Sequence, residues 1–182
     1  MTTLVNLFGR IWMGGYDPEN VYPEVNVKIA ELELGNAEKK HTELTALDLE
    51  LDNGYNPLFY AVLFLSNKNT WLRRLIRIAE SIEGSYPGLK RTLFSKKDHE
   101  NKTILMLLLE FERDDSEATG KSINLENIRF LLQKYREVGA TNEIEEAQTF
   151  CNNEGIELQL DTLGGRKKTK RKKSRKSRKS KK

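Results

Sequence analysis

Residues 52–61 read Asp52-Asn53-Gly54-Tyr55-Asn56-Pro57-Leu58-Phe59-Tyr60-Ala61. Asn56 is a helix-capping type, and Pro57 then falls at the first helical position, where a missing N–H costs nothing. Leu58, Ala61, Val62 and Leu65 follow at i, i+3, i+4 and i+7, which makes one apolar stripe. After a polar break at residues 67–69 a second amphipathic run begins. Leu72, Leu75, Ile76, Ala79 and Ile82 share one side, Arg73, Arg74 and Arg77 lie largely on the other, and Gly84 is a natural stop. The stretch predicts two antiparallel helices joined by a short turn, each with a stripe that must be hidden against a neighbour.

Working outward, the same wording returns at residues 98–108, Asp98-His99-Glu100-Asn101-Lys102-Thr103-Ile104-Leu105-Met106-Leu107-Leu108. Thr103 caps a helix with Leu105, Leu108 and Leu109 facing inward. Residues 113–124 read as a charged loop. Asn124 caps the next helix, which carries Leu125, Ile128, Leu131, Leu132, Tyr135 and Val138, has Lys134 and Arg136 in its last turn, and stops at Gly139. Residues 143–152 predict a further helix with Ile144, Ala147, Phe150 and Cys151 inside, and residues 156–160 alternate briefly. The connector at 85–97 holds a Tyr86-Pro87-Gly88 turn and one helical turn at Leu89, Leu93 and Phe94. Residues 1–13 form a short amphipathic segment. Residues 25–34 and 44–51 fit two periods: Val25, Val27 and Ile29 alternate like a strand, whereas Val25, Ile29 and Leu32 share a helical face. A β-hairpin and a helix pair both stay open there.

The two segments, each followed by an amphipathic helix ending at Gly84 or at Gly139-Ala140, resemble the ankyrin repeat. Gly54, Pro57, Leu58 and Ala61 match its turn and first helix; Thr103 and Leu105 match in the second unit, and Gly139-Ala140 matches the end of its second helix. Gly35-Asn36-Ala37-Glu38 is a weaker echo of the same kind. Asn56 stands in place of the motif's Thr, Phe59 and Met106 in place of its His, and Leu108 in place of its small Ala, a bulk that pushes neighbouring helices apart. The units start 46 residues apart (52 to 98), longer than the ankyrin period of about 33. The resemblance spans residues 52–140. It implies a short helical repeat stack that binds protein partners, with Asn53, Tyr55, His99 and Glu100 on projecting turns as contact residues.

Charge divides the chain sharply. Residues 166–182 hold 13 Lys or Arg in 17 positions and no acid, while residues 1–165 hold 18 basic and 27 acidic residues, a net of −9. The cations are Arg166, Lys167, Lys168, Lys170, Arg171, Lys172, Lys173, Arg175, Lys176, Arg178, Lys179, Lys181 and Lys182. Self-repulsion without a single apolar residue predicts a disordered polybasic tail. Such a tail binds polyanions by releasing counterions; lacking aromatics, it binds nucleic acid without reading sequence. It also suits nuclear targeting. Ser174, Ser177 and Ser180 recur among the cations as phosphorylation candidates. Residues 138–165 hold six acids and no Lys or Arg, so the tail is expected to fold back on them. The Gly-Gly-Arg-Lys-Lys ending is similar to the basic C-termini of many proteins of large DNA viruses. That resemblance implies a viral protein of host cytoplasm, nucleus or virion.

No segment approaches the ~20 apolar residues of a membrane span, so no membrane partner is expected. A single cysteine, Cys151, fits a reducing, intracellular setting. No Gly-rich phosphate loop, nucleophile elbow or metal-ligand spacing occurs, so neither cofactor nor metal is expected. The sequence thus reads as a mainly α protein: one acidic, ankyrin-like domain over residues 1–165 with short strands allowed in its N-terminal third, and a basic tail at 166–182. The expected role is a non-enzymatic adaptor with a protein partner on the body and nucleic acid or import machinery on the tail. A second reading is a virion or nucleic-acid-associated structural protein whose tail is the main functional element.

Overall fold

The computed structural model describes residues 3–14, 18–48, 53–64 and 70–163. Asp52, Leu65 and the whole of residues 166–182 lie outside them. Nine helices are found among the described residues: α1 (Leu4–Trp12), α2 (Pro18–Leu34), α3 (Ala37–Thr45), α4 (Pro57–Leu63), α5 (Trp71–Ile82), α6 (Leu89–Ser95), α7 (Ile104–Thr119), α8 (Leu125–Glu137) and α9 (Thr141–Asn153).

They form three successive trios. First helices start at residues 4, 57 and 104, second helices at 18, 71 and 125, and third helices at 37, 89 and 141. The third helices are thus two steps of 52 apart. Each first helix has a capping side chain ahead of it. Thr3 Oγ1 accepts from Asn6 N at 3.3 Å, Asn56 Oδ1 from Leu58 N at 2.9 Å and Thr103 Oγ1 from Met106 N at 3.4 Å. These caps satisfy donors that the first helical turn leaves open.

The first helices stack in a row, α1 on α4 and α4 on α7, while α2 packs on α5. α3 lies against α4 and α5, and α9 closes the far end against α7 and α8. α4 is the centre. Its side chains from Pro57 to Val62 are all buried, as expected of a helix that is apolar all round. Phe8 of α1 stacks on Tyr60 at 5.7 Å and tilts against Trp71 at 5.4 Å, joining α1, α4 and α5. At the next junction Tyr135 of α8 stacks on Phe94 of α6 at 5.0 Å and its hydroxyl donates to the Phe94 carbonyl at 2.8 Å.

Two sequence expectations are corrected. Short strands were allowed in residues 25–34 and 44–51, but residues 25–34 belong to α2, 44–45 end α3 and 46–48 are not in a strand, while 49–51 lie outside the described residues. The β-structure among the described residues is one isolated antiparallel bridge, Lys97 to Thr103. Helix wins in α2 because Val25, Lys28, Ile29 and Leu32, at i, i+3, i+4 and i+7, all turn inward. Residues 113–124, expected as a loop, are helical through Thr119. The charges in and just before this stretch do not face water alone: Glu112 is buried and accepts from the Asn124 backbone at 3.2 Å, and Arg113 bonds Glu154 of the α9 end at 2.7 Å. Gly120, left-handed at φ 67°, ends the helix.

Candidate functional site

The two turns singled out in the sequence lie against each other. In the second, Asp98 Oδ1 accepts from Glu100 N at 2.9 Å and from Lys102 N at 2.8 Å, and Asn101 takes the left-handed φ of 64° that asparagine tolerates. The bridge from Lys97 to Thr103 closes the loop. In the first, Gly54 has φ 72°, and a Cβ there would sit 3.4 Å from the Asp98 Cα. The left-handed φ is what calls for glycine here, and the close Asp98 backbone leaves a side chain little room to spare. His99 N donates to the Asn53 carbonyl at 3.2 Å, and the His99 ring Nδ1 lies 3.1 Å from the same oxygen.

The four turn candidates separate on inspection. Asn53 and Tyr55 are buried. The Asn53 side chain accepts from Tyr55 N at 2.9 Å and donates to Tyr60 OH at 3.2 Å. Tyr55 lies flat on Phe59 at 5.2 Å, and burial raises its hydroxyl pKa. The Tyr60 hydroxyl in turn donates to Asp48; burial, then that carboxylate, drives its pKa well above the tyrosine range. Asn53 and Tyr55 thus hold the turn to the core. His99 and Glu100 stand outside, with side chains 53% and 54% exposed. Beside them Lys102 bonds Glu100 at 2.6 Å and Glu110 at 2.9 Å. Burial opposes the Lys102 charge, but those two carboxylates outweigh it and raise its pKa.

The basic residues from Arg166 to Lys182, with Ser174, Ser177 and Ser180, lie outside the described residues. The acidic segment ahead of them is described, and three of its six acids are already engaged. Glu143 is buried, accepts from Ser95 at 2.5 Å and pairs with Arg91 at 3.0 Å. Burial works against its charge, yet Ser95 and the nearby cations hold its pKa below the usual value. Glu146 pairs with Lys97 at 2.8 Å and Glu154 with Arg113 at 2.7 Å. Glu145, Glu157 and Asp161 are exposed and make no ion pair with a described residue. They are what the expected fold-back of the tail has to work with.

Cys151 is fully buried, and burial pushes its thiol up to about 11. A thiol held protonated is a poor nucleophile. Beside it, Asn152, Gly155, Ile156, Glu157, Leu158 and Gln159 complete the lining of an open cavity of about 530 Å³. No group of three His, Cys, Asp or Glu side chains among the described residues is placed to hold a metal. None of their helices is long and apolar enough to cross a membrane.

Comparison with protein families, with characterised proteins and with solved structures gave no match for the chain. Function is therefore read from the charge pattern of the sequence together with the geometry. The geometry also brings out a surface that the sequence reading passed over, the outward side of α2. Val27 is 59% exposed there and Leu34 90%. The signal was present as the alternation of Val25, Val27 and Ile29, in which Val27 is the odd member that turns outward.

Proposed function

We propose that this protein is a non-enzymatic adaptor of a large DNA virus: an ankyrin-like helical body holds a protein partner while the polybasic tail engages nucleic acid or directs nuclear import. The observation that carries the reading is the segregation of charge, 13 cations and no acid in residues 166–182 behind a body of net −9. A globular surface mixes its signs, whereas a block of one sign is an electrostatic handle for a polyanion. The tiered helices and stacked turns of the body support the other half of the reading. Repeat stacks offer extended surfaces to protein partners, and His99 and Glu100 are exposed on one such turn. The protein acts in host cytoplasm or nucleus, or is carried in the virion.

On the tail, each phosphate added at Ser174, Ser177 or Ser180 brings about 1.5–2 negative charges and weakens nucleic-acid binding. The test is a mobility-shift comparison of the full chain with a chain ending at Gly165, on duplex DNA and single-stranded RNA. The full chain is expected to shift both and the shortened chain neither. Equal shifts by the two chains would refute the tail's role.

A further inference from the structure

The two ends of the helix stack are finished differently. At the far end α9 turns Thr141, Asn142, Glu145, Glu146, Thr149 and Asn152 to solvent, a polar cover. At the near end no such cover is found among the described residues. The large apolar side chains found exposed among the described residues, Trp12, Met13, Tyr22, Val27 and Leu34, all belong to the first trio. Single exposed apolar residues need no explanation, but Val27 and Leu34 of α2 are aligned, while Tyr22 lies off their line, edge-on to Trp71 of α5 at 5.3 Å. Among the α2 residues whose burial is described, 22–34, the buried ones are Val25, Lys28, Ile29 and Leu32. At about 3.6 residues per turn, Pro23, Val27, Ala30 and Leu34 centre on the side directly opposite. All four are exposed. A helix apolar on two opposed faces has the pattern of one buried on both.

The charges beside this stripe say what fits it. Glu24 and Glu31 flank it, both exposed. The single cation of α2, Lys28, faces inward and is taken by Glu43 at 3.0 Å. Along its other flank α2 already holds an arginine-bearing amphipathic helix, α5. There Arg74 forks onto Glu33 through two bonds of 2.8 Å, and Trp71 Nε1 donates to Asn26 at 2.8 Å. We infer that the Pro23, Val27, Ala30 and Leu34 face of α2 docks a basic amphipathic helix of a partner protein, with an apolar stripe of its own and Arg or Lys along its edges. Two other occupants fit worse. A second copy of α2 would set Glu24 and Glu31 against their like. The chain's own tail has no apolar residue to lay on the stripe. The inference rests on the adaptor reading and gives it a partner surface distinct from the tail.

The test uses the full chain and a synthetic helical peptide with leucine at i, i+4, i+7 and i+11 and arginine at the flanking positions, followed by fluorescence anisotropy. A control peptide carries glutamate for each arginine. The arginine peptide is expected to bind, and the control to bind at least about tenfold more weakly. Val27→Asp and Leu34→Asp, both at exposed positions, are each expected to weaken binding about tenfold or more with the thermal midpoint unmoved. Glu24→Lys with Glu31→Lys is expected to weaken the arginine peptide and favour the control. The inference is overturned if neither peptide binds, if the two bind equally, or if both aspartate variants bind as the natural chain does. Sedimentation showing a dimer that Leu34→Asp disperses would give the face to a second copy, and also overturns it. A protein partner captured equally by the chain and by Val27→Asp would remove this surface while leaving the adaptor reading in place.

Discussion

Arg74 and Glu33 meet through two parallel hydrogen bonds, Nε to Oε1 and Nη2 to Oε2, each 2.8 Å long. This fork is the charged seam between α2 and α5. The bond to Arg74 is the main reason that the Glu33 pKa lies below its ordinary value. A carboxylate with a depressed folded pKa contributes stability above its unfolded pKa of about 4.3 and loses it as pH falls through the folded value. The Glu33 side chain is 41% exposed, so water screens the pair and Arg74→Ala should cost under ~1 kcal/mol at pH 7. That deficit should shrink towards zero in urea melts taken at progressively lower pH.

Gly9 sits inside α1, where alanine would ordinarily gain about 1 kcal/mol of helix propensity. Here a Cβ would lie 3.0 Å from Asp48 Oδ2, the same oxygen that accepts the Tyr60 hydroxyl. Gly9→Ala is therefore expected to destabilise the chain, by about 1 kcal/mol, despite the better propensity. Denaturant unfolding of Gly9→Ala beside Tyr60→Phe separates the causes. If the collision works through the Asp48–Tyr60 bond, the double substitution costs less than the two single costs together.

Lys28 and Glu43 form an ion pair with only 9% and 11% of their side chains exposed, and Glu43 also accepts the Leu4 backbone N–H at 2.8 Å. One carboxylate thus ties the N-terminus of α1 to α2 and α3. Lys28→Met strands a buried charge and should cost about 3–5 kcal/mol. Adding Glu43→Gln should recover part of that loss. A double-mutant cycle showing additive losses would mean the pair is not coupled.

Glu112 shows the opposite titration. Burial raises its pKa, against the bonds from the Asn124 backbone and Asn127. The folded chain then holds this proton more tightly than the unfolded chain, so stability falls as pH rises from about 4.3 through the folded value. Glu112→Gln keeps an oxygen for Asn124 and removes the charge. It should be at least as stable as the natural chain at pH 7, with the difference narrowing near pH 4. A clear loss at pH 7 would mean that the carboxylate's charge is needed at the head of α8.

How far the sequence could be read depended on whether a signal was local. α8 was legible at both ends because its cap Asn124, the Ile128–Leu131–Leu132–Tyr135 stripe and Gly139 all lie in it or within two residues of its ends. α2 was not, because Val27 faces outward and mixes a period of two into a helical pattern. The second half of α7 was hidden by its charges. What makes it helical is distant in sequence, Glu154 for Arg113 and the α8 head for Glu112. The same distance misled the count of acids in residues 138–165. Arg91, Lys97 and Arg113 neutralise three of the six from other elements. Of the four turn candidates, Asn53 and Tyr55 are polar types that packing drew inside, and no local pattern marks them apart from His99 and Glu100.

The adaptor reading stands or falls most directly on the salt dependence of nucleic-acid affinity, measured by anisotropy for the full chain and for a chain ending at Gly165. Counterion release gives a slope of log K against log salt of about −0.9 for each duplex phosphate neutralised. The full chain should show a steep negative slope and the shortened chain only weak binding with a shallow one. Matching affinity and matching slope in the two chains would contradict the account.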